Sequence, residues 1–227
     1  MKLRLLRLGV DVDLLADSVA TLEIEDRVLY TRVVSSLLSE AGEYAEEPYL
    51  LFANDGKRVS PKKAFHVVNS LPDVPLNDRI MLTRLFRFIA EQSELNPEEY
   101  EQIRTLSTAL IEATEEIVSG LRGDYSLGIE WNYETYLKSF GLAPVSGRDY
   151  TLLDNCIRLL GLCADISDPA PVILVNAKSF FAVKEIDELF QQAVFSGVRL
   201  LLLESWRDSN DYSLERKTVI DQHLCLE

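Results

Sequence analysis

Two short aliphatic runs, VILV at 172–175 and VRLLLL at 198–203, flank one amphipathic helical pattern at 183–195 that ends at Gly197. A strand without polar alternation has to be covered on both faces, and parallel neighbours need a crossover between them, usually a helix. The segment therefore predicts a parallel βαβ unit, which confines the chain to an α/β fold. At 227 residues the chain can build one sizeable core and a smaller lobe without disulfides.

The residues before this unit alternate short strand-like runs with turns. Residues 2–5 open the pattern, ATLEIE at 20–25 alternates on a period of two, and 28–38 turns helical. A strand at 49–53 runs into Asn54, Asp55 and Gly56, strong turn formers that predict a hairpin returning at 57–59. AFHVVN at 64–69 reads as a buried strand closed by the breaker at 71–75. From Asn77, a suitable N-cap, the period becomes helical, with Ile80, Leu82, Leu85, Phe86, Ile89 and Ala90 on one side. Asn96 and Pro97 restart a helix reaching about Ser119, striped by Ile103, Leu106, Leu110, Ala113 and Ile117, so that the two helices predict an antiparallel arm. Residues 120–128 are the loosest stretch, 131–140 is a shorter helix, 151–163 is helical again, and 223–226 reads as a final edge strand. The expected architecture is an α/β head with a mostly parallel sheet, residues 1–76 and 147–227, interrupted by a helical leg, residues 77–146.

The sequence offers few routes to catalysis. His66 and His223 sit inside apolar strand patterns and read as hydrogen-bonded core or edge histidines, and no GxSxG, HExxH or CxxC pattern occurs. Cys156, Cys163 and Cys225 lack metal-ligand spacing and read as buried thiols of a reducing compartment. Where a phosphate-binding loop would follow the strand at 20–25 stand Glu25, Asp26 and Arg27, with no glycine to let backbone amides approach a phosphate. Asn176 ends the next apolar strand, where a Mg²⁺-holding carboxylate would be expected, and Glu204 reads as a surface or hydrogen-bonded carboxylate. The expectation is a non-enzyme that binds no nucleotide.

The basic opening MKLRLLRLGVDVD is broken by Gly9, Asp11 and Asp13 before it reaches signal-peptide length, and no apolar stretch is long enough for a membrane span. The expected location is the cytoplasm. The net charge of -14 and pI near 4.6 argue against nucleic-acid binding unless the 23 Lys and Arg residues gather on one surface.

The order of LEIEDRVLYTRVV at 22–34, Leu51-Phe52 with its turn and Lys57, LKSFGL at 137–142, and VILVN leading through a helix to LLLLES at 200–205 resembles the short form of the Csn-two family. That family is the accessory spacer-acquisition protein of subtype II-A CRISPR systems. The resemblance covers nearly the whole chain and lies in order and spacing, since each phrase alone is generic. It implies a degenerate P-loop-like head, a helical leg, and a homotetrameric ring whose basic inner wall admits double-stranded DNA ends. It also implies bound calcium and action beside other adaptation proteins, the integrase complex and the effector nuclease. On this chain the implied calcium ligands are Asp124, Glu130 and Glu134, with Asn132 beside them. The candidate DNA contacts are Arg27, Arg32, Lys57, Arg58, Lys62 and Lys63, with the acidic stretches at 43–47 and 98–101 expected to face outward. Net charge supports an alternative: an acidic protein-interaction scaffold without DNA contact.

Overall fold

The computed structural model describes residues 1–127, 132–145 and 150–226. It forms two compact units: Met1–Leu76 with Ser146–Glu227, and Asn77–Val145. The first unit begins with β1 (Lys2–Leu5), β2 (Val10–Asp13), β3 (Val19–Ile24), α1 (Arg27–Ser39), β4 (Tyr49–Phe52), β5 (Arg58–Val59) and β6 (His66–Val68). The second unit contributes α2 (Arg79–Glu94), α3 (Pro97–Ser119) and α4 (Tyr133–Ser139). The chain then returns through α5 (Leu152–Asp165), β7 (Val172–Val175), α6 (Val183–Phe195), β8 (Leu200–Glu204) and β9 (Glu215–Ile220).

Five parallel strands in the order β6-β7-β8-β3-β9 make the main sheet. The aliphatic runs that predicted a βαβ unit are β7 and β8, paired in parallel with Ile173 opposite Leu201. Every residue of β3, β7 and β8 is buried, which accounts for their lack of polar alternation. On one face Ala20, Leu22, Ile24, Ile173, Leu201 and Leu203 pack with Leu29, Val33 and Leu37 of α1. The same core takes in Leu3, Leu5, Val12, Tyr49 and Leu51 from a second, antiparallel sheet of order β2-β1-β4-β5. Successive side chains of a strand alternate between faces. Thr21, Glu23, Leu202 and Glu204 therefore point the other way, with Thr21 opposite Leu202 and Glu23 opposite Glu204.

The hairpin predicted at Asn54-Asp55-Gly56 joins β4 to β5, Gly56 taking the positive φ of 78° that a side chain would resist. Other details differ from expectation. β2 and β9 were not legible: β2 is four residues of alternating Val and Asp, and β9 carries Glu215, Arg216 and Lys217 as an outer strand half open to water. At 223–226 there is only a bridge between Ile220 and Leu226, so His223 and Cys225 are exposed in a turn and not in an apolar strand. β6 is a sheet edge, only Val68 being fully buried, and His66 Nε2 meets the Asp168 carboxylate at 2.8 Å. Asp78, not Asn77, caps α2, its carboxylate accepting the Ile80 and Met81 N–H groups.

The leg departs from expectation in its packing. α2 touches both α3 and α4, yet much of the predicted apolar stripe of α3 stays exposed, part of it opening onto a groove shared with α4. Leu106 and Ile117 are each 71% exposed and Leu110 is 58% exposed, while Ser107 is buried and donates its hydroxyl to Tyr136 Oη at 2.6 Å. Positions 103, 106, 110, 113 and 117 instead repeat at spacings of three and four along an open seam. Among the described residues no helix is long and apolar enough to cross a membrane.

Candidate functional site

In an open parallel sheet, ligands bind beyond the carboxyl ends of the strands. Here that edge is filled by the chain itself. The Asp26 carboxylate caps α1, accepting the Leu29 N–H at 2.7 Å, and so occupies the helix N-terminus where a phosphate would lie. Asn176, in the left-handed conformation, accepts the Ser205 N–H on its side-chain oxygen at 3.0 Å. Two residues on, the Lys178 side chain is 1% exposed and its ammonium lies 2.7 Å from Glu215, 3.0 Å from Glu23 and 3.3 Å from Asp208. Its backbone N–H donates to Glu204 Oε1 at 3.0 Å.

Three carboxylates thus meet one fully buried ammonium and a fourth its backbone N–H, with Lys217 Nζ farther off, 3.8 Å from Glu23 and 3.7 Å from Glu215. Burial works against the Lys178 charge, but hydrogen bonds and Coulomb attraction from Glu215 and Glu23 outweigh it and raise its pKa. Burial pushes the Glu204 pKa up to about 7; the Lys178 N–H and charge partly offset this, and Glu23 adds to it. Among the described residues Glu204 Oε2 and Glu23 Oε2 have no hydrogen-bond partner, nor does Thr21 Oγ1 beside them. The effective cost of burying each ion is several kcal/mol, which only close pairing repays. Sequence reasoning missed Lys178, although Glu23 inside a strand buried on both faces was a signal that a cation had to be near.

The six candidate DNA contacts all lie in the first unit, exposed. Arg27 opens α1; Arg32, five residues on, lies about 140° round the helix axis from it, so the two do not share a face. Arg58 and Lys62 line one cleft of about 330 Å³ with Glu40, Glu43, Tyr44 and Pro61. The acidic stretch at 43–47 does not face away from the cations, as expected, but interleaves with them. Glu43 pairs with Arg58 at 2.9 Å, Glu46 with Arg32 at 3.1 Å, and the Glu47 side chain is 2% exposed near Arg7. Lys57 pairs with Asp55 at 2.8 Å in the hairpin turn. The turn carboxylate Asp55 and the acids Glu43 and Glu46 are close enough to hold three of the six cations. Among the described residues Arg27, Lys62 and Lys63 have no such ion pair. Lys63 holds a φ of 54°, unusual for a lysine.

Of the implied calcium ligands, Asp124 is exposed after α3, Glu134 lies in the first turn of α4, and Glu130 falls outside the described residues. Asn132 caps α4, its side-chain oxygen accepting the Thr135 N–H at 2.9 Å. Among the described residues no three His, Cys, Asp or Glu side chains stand together to hold a metal ion. Asp124 and Glu134 alone fall short of the six to eight oxygens calcium takes.

Residues 43–224, about four fifths of the chain, match the family described as CRISPR-associated protein (Cas_Csn2). Among solved structures, the crystal structure of Stu0660 of Streptococcus thermophilus has a similar fold, with a TM-score of 0.57 and 12% identity over 97% of this chain and 75% of that one. No curated protein matches.

Lys178→Met keeps much of the side-chain volume and removes the only cation within 3.5 Å of the Glu23, Asp208 and Glu215 carboxylates among the described residues. Stranding buried charge in this way should cost about 3–5 kcal/mol of unfolding free energy. Urea titration at neutral pH measures it. A loss under ~1 kcal/mol would mean that these carboxylates do not depend on the lysine.

Proposed function

The chain belongs to the Cas_Csn2 family of CRISPR-associated proteins, and on that premise we propose that it is a non-catalytic binder of double-stranded DNA ends, closed into a homotetrameric ring, that serves spacer acquisition. The family match is the observation that carries this reading. Its partners are DNA ends, further copies of itself, and the integrase complex and effector nuclease of the same system. The chemistry of the sheet edge agrees with a role without nucleotide turnover: Asp26, Asn176 and Lys178 are already engaged with other parts of the chain.

Assembly into a ring is supported by the open face of α3. Apolar residues at spacings of three and four are what a helix presents to another helix in knobs-into-holes packing. A groove of about 230 Å³ beside them is lined by Ile103, Leu106, Leu110, Tyr136 and Phe140, and the same face on a second copy would fill it. Leu106→Glu with Leu110→Glu should convert the oligomer to a folded monomer by light scattering; an unchanged mass would remove this face from the interface.

DNA binding is supported by Arg27, Lys62 and Lys63, whose charges no described acidic residue neutralises. Such contacts act on phosphates and carry no sequence information. Lys62→Glu with Lys63→Glu should weaken retention of a linear duplex by about tenfold per lysine at 0.1 M salt and make the salt dependence shallower. Unchanged affinity with an intact oligomer would remove these lysines from the binding surface, and no retention of duplex by the unsubstituted protein would favour the second reading, an acidic interaction scaffold. The pairing of Arg32, Lys57 and Arg58 with acids is the observation on that side.

A further inference from the structure

The segment at 205–214 runs from the carboxyl end of β8 back to the amino end of β9, past the sheet face that carries Glu23 and Glu204, and is held mainly by polar contacts. Asp208, 4% exposed, reaches Lys178 Nζ at 3.3 Å and accepts hydrogen bonds from the Asn210 N–H and Nδ2 and from Tyr212 Oη. Lys217 Nζ donates to the carbonyls of Asp208 and Asn210 at 2.8 and 2.9 Å. At its start, the Ser205 N–H donates to Asn176, and Trp206 Nε1 donates to Ser179 Oγ at 3.2 Å. One ring contact joins this polar set: Tyr212 stands edge-on to Phe190 of α6 at 5.4 Å, with Lys178 Nζ 5.2 Å from its ring centre.

We propose that 205–214 is a proton-dependent strap: with Glu204 neutral the strap stays closed over Lys178, and ionisation of Glu204 loosens it. The argument is one of charge count within a closed space. With every group ionised, Glu23, Glu204, Asp208 and Glu215 face only Lys178 and Lys217, and the centre holds two excess negative charges. A proton on Glu204 halves that excess. Glu204 is the member placed to take it, being fully buried with Oε2 unpartnered, whereas Lys178 Nζ is committed to the other three.

The groups that face Glu204 are Lys178 from the turn after β7, Glu23 from β3, and Tyr30 from α1, whose phenol is itself pushed up by burial and by the Glu204 charge. Tyr30 is neutral at any physiological pH, Lys178 keeps its charge, and burial brings Glu204 into this range. In the closed form it titrates at about 7, against an ordinary value near 4.5 once the strap is open and water reaches it. The sign follows by linkage. Between those values the closed form retains a proton that the open form has lost. Closure is therefore strongest below 4.5, weakens as pH rises towards 7, and weakens no further above it.

Hydrogen exchange of the full-length chain, corrected for the intrinsic pH dependence of amide chemistry, measures this opening directly. The opening constant at 205–214 should rise by about tenfold per pH unit between 5 and 7 and level off above, while the antiparallel sheet of β1, β2, β4 and β5 stays constant. In Glu204→Gln, whose amide oxygen can still accept the Lys178 N–H, the rise should vanish. A flat profile in the unsubstituted chain would overturn the proposal without any variant, as would an unchanged rise in Glu204→Gln.

Discussion

The fold is organised around one buried ammonium. Lys178 touches carboxylates delivered by β3, by the 205–214 segment and by β9, and its backbone anchors Glu204 of β8. The outermost strand, β9, pairs with β3 and carries Glu215 into the same centre. In folds of this class the carboxyl edge of the sheet is where a bound phosphate and metal would bring charge from outside. In this chain that charge is part of the polypeptide. A tethered ammonium takes the position of a cation, and carboxylates take that of the anion.

Beyond this centre the chain presents surfaces that the fold leaves open. Two stand out. One is the solvent face of α3, where leucines and an isoleucine are left open at coiled-coil spacing. The other is the region around the β4–β5 hairpin and the following loop, where cations outnumber their partners only narrowly. Under the proposed function both surfaces would serve one DNA-binding assembly. The net charge of -14 makes the small local surplus at Arg27, Lys62 and Lys63 the decisive quantity.

How much of this was legible in the sequence follows from where side-chain pattern decides structure. β7, α6 and β8 were readable because both faces of a parallel strand are buried and leave no polar alternation. The hairpin was readable because Asn54-Asp55-Gly56 has few other uses. β9 was not, because an outer strand can carry Glu215, Arg216 and Lys217 without burying all of them. The stripe of α3 was found but not its surroundings, since periodicity reports that an apolar face exists and not what covers it. Among candidate site residues, the sequence located cations but not their partners. Glu43 and Glu46 are far from Arg58 and Arg32 along the chain, and only the fold brings them within 3.1 Å. Lys178 was overlooked for the same reason: its carboxylates come from positions 23, 208 and 215.

A ring that threads onto DNA ends differs from every other acidic binder in its response to topology. Retention of a linear duplex and of the same duplex as a covalently closed circle, compared at one salt concentration, tests the central claim most directly. The account predicts that the linear form is held and the circle is not. Equal retention of both, or of neither, would contradict it.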